Sequence, residues 1–303
     1  CKEIYRIVLS EGLDVEVVSG GELYTALQAG VPGRQIHFQG NNKSIGELTM
    51  ALENGVGDIV VDNLSELERL ESLAAERGVT APISFRIKPG IDAHTHEFIR
   101  TGQVDSKFGL DLASGEAMDA LRRASELEHV VVKGLHCHIG SQILEKAPFV
   151  HAAEVMLQFF AQVREELGTT FEHLNLGGGF GIHYTERDDA IPYEEYMEDV
   201  SAMVHAKCRE LGLDLPYIFI EPGRSIVGEA GITLYTVGNI KHIPGVRDYV
   251  AIDGGMFDNP RYALYQSAYT CILANKAGEP ADYTATIAGK CCESGDLIQE
   301  HTL

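Results

Sequence analysis

The stretch Ile218-Phe219-Ile220-Glu221-Pro222-Gly223-Arg224 sets a carboxylate and a guanidinium three positions apart at the end of an apolar run. The run reads as a buried strand, so its end delivers Glu221 and Arg224 to the mouth of a sheet or barrel. Gly223 lets an anion approach the backbone closely. One acid beside one anion cradle is what pyridoxal phosphate requires. The cradle holds the ester, and the acid keeps the pyridine nitrogen protonated so that the ring accepts electrons. The competing reading is a plain salt bridge at a strand end.

Four further groups have residue types suited to chemistry. Gly177-Gly178-Gly179, with Gly181 beyond, follows a strand and exposes backbone N–H groups to an anion. It is not a dinucleotide fingerprint, and a tight turn explains it equally. His138-Ile139-Gly140-Ser141 ends the preceding strand. There a histidine can lie flat against a cofactor ring with Ser141 donating to phosphate, or it is a satisfied core histidine. In Cys292-Glu293-Ser294-Gly295-Asp296 the Cys292 thiol suits reprotonation of a carbanion and Glu293 suits a substrate ammonium. The alternative is a buried cysteine beside a surface acid. Arg261 and Tyr265, four apart, suit a carboxylate bound through a guanidinium with a phenol assisting. A solvated loop arginine is the bland reading.

The elements that must position these groups alternate. Strands are predicted at Asp14–Val18, Gln35–Phe38, Asp58–Val61, Ile83–Ile87, Val130–His138, His173–Leu176 and Tyr217–Ile220. Between them run helices at Glu22–Ala29, Ser44–Glu53, Ser65–Arg77, Gly115–Leu127, Phe149–Leu167 and Tyr193–Leu211, and the chain opens on a helix over Lys2–Glu11. Such alternation implies right-handed parallel β/α units. Polar residues after almost every strand favour a (β/α)8 TIM barrel over an open doubly wound sheet. A closed barrel needs eight strands, and seven are counted. The count predicts that one strand precedes the opening helix and that this chain is part of a longer one. The unclosed barrel would expose two strand edges, so poor stability or aggregation is expected of it. From about Gly231 the pattern changes to short β-prone runs at Ile232–Val237, Tyr249–Ile252, Thr270–Ala274 and Tyr283–Ala288. The expected domains are a barrel over 1–230 and an incomplete all-β domain over 231–303.

Bulk properties narrow the classes. A net charge of −21 over 303 residues, with no basic stripe, argues against a nucleic-acid partner. No apolar run reaches about 18 residues, so no transmembrane helix is expected, and no signal-peptide pattern opens the sequence. Six irregularly spaced cysteines suit a reduced, cytoplasmic chain better than a disulfide framework. His136 and His138 share one strand face with Cys137 on the other, and with no further ligand cluster no metal site is expected.

Taken together, the motifs resemble the diaminopimelate decarboxylases, within the alanine racemase-like (fold III) pyridoxal phosphate enzymes. The resemblance runs through almost all of the chain. It is carried by Val17-Val18-Ser19-Gly20-Gly21-Glu22-Leu23, by Gly40-Asn41-Asn42-Lys43-Ser44, and by Thr101-Gly102-Gln103 leading to Asp105-Ser106-Lys107-Phe108-Gly109. His136 to Gln142, the triple glycine, Glu221 to Arg224, Asp253-Gly254-Gly255-Met256 and Cys292 to Asp296 complete it.

The resemblance implies a barrel plus a β domain, and a homodimer with shared active sites. It implies pyridoxal 5'-phosphate as cofactor and decarboxylation of meso-2,6-diaminopimelate to L-lysine. It pairs Glu221 with the pyridine nitrogen and stacks His138 on the ring. It assigns the phosphate to Gly178, Gly179, Gly223, the Arg224 backbone and Ser141. It gives the substrate's distal end to Arg224, Arg261 and Tyr265. It sends Cys292 and Glu293 into the neighbouring subunit's site as proton donor and substrate clamp, and pairs Lys107 with Asp296 across the dimer.

Several positions depart from the family's pattern. Its cofactor-binding lysine ends the first barrel strand, in a motif like Tyr-Ala-x-Lys-Ala, and no lysine here fits: Lys2 opens a helix, and Lys43 and Lys107 belong to other motifs. Its late tyrosine would lie beyond Leu303. Glu16 stands where aspartate is frequent, and Arg100 where a small residue is. A decarboxylase of ornithine, arginine or carboxynorspermidine is the nearest rival, although its distal pocket needs no two arginines. A non-catalytic homologue without the lysine, and a phosphate-binding barrel enzyme without the cofactor, are rivals of other classes.

Overall fold

The computed structural model describes residues 1–91 and 106–302. Arg100, Thr101-Gly102-Gln103 and Asp105, named above for the resemblance, lie outside the described residues. The chain divides into two compact units. Unit 1 comprises Cys1–Phe180 and Ile191–Gly223, and unit 2 comprises Gly181–Ala190 and Arg224–Leu303.

Unit 1 opens on helix α1 (Lys2–Ser10) and then alternates: β1 (Val15–Val17), α2 (Gly20–Ala29), β2 (Ile36–Phe38), α3 (Ile45–Glu53), β3 (Asp58–Val61), α4 (Leu64–Arg77), β4 (Ala81–Lys88), β5 (Leu110–Asp111), α5 (Glu116–Ser125), β6 (Val130–Cys137), α6 (Ala147–Leu167), β7 (His173–Asn175), α7 (Tyr193–Leu211) and β8 (Tyr217–Phe219). The strands form one all-parallel sheet in the order β1-β2-β3-β4-β6-β7-β8, with the two-residue β5 on β4. This is the strand-and-helix arc of a TIM-type barrel. The seven predicted strands are all present, and β5 is additional.

Local chemistry fixes the helix starts. Ser44 and Glu47 form a capping box at α3, each side chain satisfying the other's backbone N–H. Ser19 accepts from Glu22 N at α2, and α2 closes on Gly30 at φ 96°, a left-handed turn that glycine enters without strain. Beneath the β6 and β7 loops lies an aromatic support. Phe149 stacks on Phe180 at 4.7 Å, and the fully buried Tyr196 donates its hydroxyl to Ile143 O at 2.9 Å. Ile143 N in turn donates to Gly179 O at 2.9 Å, which ties the loop after β6 to the glycine triplet.

The reading of Ile218–Ile220 as a buried strand needs correction. Tyr217 is 74% exposed, and Ile218, Phe219 and Ile220 are only half-buried. The reason is position: among the described residues β8 is the end of the strand path and pairs with β7 alone.

Unit 2 holds a four-stranded mixed sheet, β12-β11-β10-β9, from β9 (Val237–Ile243), β10 (Arg247–Ile252), β11 (Ala285–Ala288) and β12 (Leu297–Thr302). Strands β10 and β11 run parallel and the other pairs antiparallel. It also carries short helices α8 (Arg224–Val227) and α9 (Arg261–Tyr265), so it is not purely β. Residues 232–236 and 270–273 are irregular, against the strands predicted there, while β12 had no counterpart in the prediction. The apolar residues behind the first two strands, Ile232, Leu234 and Ile272, are 95%, 75% and 74% exposed. Among the described residues no strand pairs with these segments. Among the described residues no helix is long and apolar enough to cross a membrane.

Candidate active site

Parallel register brings one end of every barrel strand to the same rim. Val17 pairs with Phe38, Phe38 with Ile59, Ile87 with Cys137, and Asn175 with both His136 and Phe219. The residues just beyond these pairs therefore face one another, as at the functional face of such barrels. Glu221 lies there, with its side chain 11% exposed.

Three neutral groups surround the Glu221 carboxylate. Asn175 Nδ2 donates to Oε1 at 2.7 Å, and the Gln39 amide donates to the same oxygen. His136 Nε2 lies 3.1 Å from Oε1 and 3.3 Å from Oε2. The Asn175 side chain also works backwards, accepting from Gly177 N at 2.9 Å, so one amide links the acid to the glycine triplet. Burial pushes Glu221 up to about 7, opposed by the Asn175 donor and the Arg86 charge. Glu16, hydrogen-bonded to Glu221, is pushed further, to about 9, by burial and then by the Glu221 charge. The two acids therefore hold protons more tightly than free carboxyls, Glu16 more so than Glu221. Arg86 faces this pair and Asp62, with burial lowering its own pKa, and its guanidinium lies 4.2 Å over the Phe108 ring.

The triplet forms a close cradle. A Cβ on Gly178 would come within 2.2 Å of Glu221 O, and one on Gly179 within 2.2 Å of Gly140 O and 3.4 Å of Ser141 Cα. Gly179 also sits at φ 100°. Only glycine fits at these two positions, and their lack of side chains brings Ser141, the triplet backbone and Glu221 together. A Cβ on Gly223 would meet nothing within 4 Å, so its bareness leaves open space. His138 Nδ1 accepts from Gly178 N at 3.2 Å. Burial, with Arg86 and His136 nearby, lowers His138 to about 3. It is therefore neutral, with its proton on Nε2. Cys137 is buried, and burial with the Glu221 charge raises its thiol to about 12, which makes it an inert packing residue.

These observations fit pyridoxal phosphate. A caged acid suits a ring nitrogen, a neutral imidazole suits a flat ring, and a glycine cradle suits a phosphate. Lys43 is not free to join them. Its ammonium is buried and donates to Glu66 Oε1 at 2.6 Å, Val60 O at 2.6 Å and Gly40 O at 2.9 Å.

In unit 2, Arg224, Arg261 and Tyr265 lie in one cluster. The Arg261 guanidinium is 5.7 Å from the Tyr265 ring, and Arg224 and Arg261 both lie against the ring of Tyr184. Cys292 and Glu293 occupy the exposed turn between β11 and β12. Asp296 closes that turn: 2% exposed, it accepts from Met256 N at 2.6 Å and Cys291 N at 2.7 Å. Among the described residues no cluster of potential metal ligands occurs.

Sequence reasoning missed Gln39, Asn175, Arg86 and Tyr184, and it considered His136 only as a metal ligand. Gln39 and Asn175 stand just after and at a strand end, which is the one signal that would have found them, while Arg86 lies within β4 and carried none.

Comparison with known proteins bears on this geometry. Residues 2–228 match the family model for the pyridoxal-binding domain of pyridoxal-dependent decarboxylases. The diaminopimelate decarboxylase of Bacillus subtilis is 54% identical over 293 residues, which cover 97% of this chain and 67% of that protein. The crystal structure of the M. jannaschii diaminopimelate decarboxylase in co-complex with L-lysine is 37% identical with a TM-score of 0.87, covering 99% of this chain and 68% of that one. The Helicobacter pylori diaminopimelate decarboxylase complexed with L-lysine has the same TM-score at 31% identity, covering 99% and 72%.

Proposed function

The chain belongs to the pyridoxal-dependent decarboxylases, and from that membership we propose that it decarboxylates meso-2,6-diaminopimelate to L-lysine and CO2, the last step of lysine biosynthesis. Pyridoxal 5'-phosphate, when bound, supplies an electron-withdrawing ring for the carbon that loses its carboxylate.

Residues 1–230 are assigned to cofactor binding. Glu221 holds a proton on the pyridine nitrogen, and its amide and imidazole neighbours fix the carboxylate for that purpose. His138, uncharged, packs flat on the ring. Gly178, Gly179, Gly223, the Arg224 backbone and Ser141 hold the phosphate. The side chain of Arg224, with Arg261 and Tyr265, binds the distal carboxylate of the substrate, and Glu293 binds its distal ammonium. Cys292 gives a proton to the carbon left by CO2. Cys292 and Glu293 are assigned to the site of a neighbouring subunit in a cytoplasmic homodimer; Asp296, buried by its own turn, supports that loop rather than pairing with Lys107 across the dimer.

The observation that carries this reading is the caged Glu221 joined through Asn175 to the glycine cradle. The test is lysine release from meso-diaminopimelate by the protein expressed as its whole gene encodes it, with ornithine and arginine as controls. Lysine from diaminopimelate alone is expected. Turnover of ornithine or arginine in its place would overturn the substrate assignment.

A further inference from the structure

We propose that Tyr184 is a specificity-determining residue: one phenol holds Arg224 and Arg261 together and so prepares the pair for the substrate's distal carboxylate. The inference rests on the diaminopimelate reading above and adds a residue that no sequence motif indicated.

The geometry lies wholly within unit 2. Arg224 Nη1 donates to the Tyr184 hydroxyl oxygen at 3.1 Å, and the Arg224 guanidinium carbon is 5.7 Å from the centre of the Tyr184 ring. The Arg261 guanidinium carbon is 5.0 Å from the same centre. Two like charges thus share one aromatic ring. Each is attracted to the electron-rich face of that ring. Among the described residues Arg261 forms no ion pair with a carboxylate, and its Nη2 donates to Ser267 Oγ at 3.4 Å. One aromatic side chain thus sets the spacing of the two guanidiniums that the reading above assigns to a single carboxylate.

The hydroxyl has a second use. Its oxygen accepts from Arg224, and it retains its own proton to donate to a carboxylate oxygen. Phenylalanine would keep the aromatic face and lose both.

Tyr184 is fixed from both sides of its backbone. The Asp188 carboxylate accepts from Tyr184 N at 3.0 Å, Thr185 N at 2.7 Å and Thr185 Oγ1 at 3.1 Å. Thr270 Oγ1 donates to Tyr184 O at 2.9 Å. His183 N donates to Glu229 Oε1 at 3.3 Å. The decapeptide Gly181–Ala190 belongs to unit 2 rather than to the strand–helix unit that flanks it in sequence. These bonds are what set Tyr184 beneath the two arginines.

The test compares two inhibitors of the holoenzyme. L-lysine retains the distal carboxylate, and cadaverine is the same molecule without it. In Tyr184→Phe, which loses both hydrogen bonds of the hydroxyl, the inhibition constant of L-lysine should rise about a hundredfold, and in Tyr184→Leu, which loses the aromatic face as well, by more than that. Cadaverine inhibition should not move. The loss with diaminopimelate should fall on KM more than on kcat. Thr270→Val, which only loosens the loop, should show the same selective effect at smaller size. The cofactor absorbance band and the melting temperature report folding separately. Equal shifts for L-lysine and cadaverine, or no shift in either, would overturn the proposal. Failure of the functional reading itself shows earlier, as absent lysine release by the wild type.

Discussion

His136 near the end of β6 and Glu221 just beyond β8 face each other across the end of β7, with the imidazole Nε2 3.1 Å from one carboxylate oxygen and 3.3 Å from the other. His136 is fully buried, and burial followed by the Arg86 charge keeps its pKa well below the ordinary value. The contact is therefore a neutral N–H donor on an acid, and not an ion pair. Its Nδ1 has no hydrogen-bond partner among the described residues, so the acid is the polar group that orients the packed ring.

Glu221→Gln should keep the shape of the cage and remove its charge. Lysine release is expected to fall by about 10²–10⁴-fold, the range for one proton-holding group, and the absorbance of bound cofactor should change with it. Full activity with an unaltered spectrum would remove Glu221 from its proposed role.

The acid pair predicts a pH dependence of the cofactor-free protein. Burial raises Glu16 to about 9 and Glu221 to about 7, from an ordinary value of 4.5. The folded chain therefore binds protons that the unfolded chain releases. The stability this contributes is whole below about pH 4.5 and is lost as the pH rises through about 7 and then 9. Arg86 and His37 face the pair and oppose the shift without reversing it. The urea midpoint should thus fall between about pH 5 and pH 9, and Glu16→Gln should flatten the upper part of that fall. Parallel curves for wild type and variant would contradict the raised Glu16.

The glycines separate structural need from ligand need. Gly178→Ala drives a methyl group into Glu221 O, a clash expected to cost at least about 1–3 kcal/mol and lower the melting temperature. Gly223→Ala meets nothing within 4 Å. Its melting temperature should hold without cofactor, while cofactor retention on gel filtration weakens. Equal melting temperatures for the two variants would refute the distinction.

Lys43 and Glu66 form a buried ion pair at 2.6 Å, with side chains 1% and 2% exposed. Burial pulls Lys43 down and pushes Glu66 up, each opposed by the other's charge. Lys43→Met should cost about 3–5 kcal/mol, because it strands Glu66. The double variant with Glu66→Leu should recover part of that loss. Denaturation of the three proteins measures the coupling directly.

Much of unit 1 was legible. Hydrophobic runs bounded by glycines, and caps such as Ser44 with Glu47, located every strand of unit 1 except the two-residue β5, and every α-helix of unit 1, to within a few residues. Unit 2 was not. Ile232–Val237 and Thr270–Ala274 have strand-like composition, but strand formation depends on neighbours supplied from elsewhere in the chain. Glu221 stood out because its motif is local. Gln39 did not, because its contact with Glu221 spans 182 residues, and an isolated glutamine after a strand carries no signal. Tyr184 was hidden for the same reason. Its meaning comes from Arg224 and Arg261, 40 and 77 positions later.

The placement of Gly181–Ala190 in unit 2 has a consequence for biosynthesis. The chain enters and leaves unit 2 before most of that unit has been made, and Thr270, which anchors Tyr184, is translated 86 residues afterwards. At about 5–20 residues per second, the decapeptide emerges from the ribosome roughly 4–17 s ahead of its anchor. It must wait as an open loop, so a nascent chain arrested before Thr270 should be cut by protease in this loop, and one released after Thr302 should not.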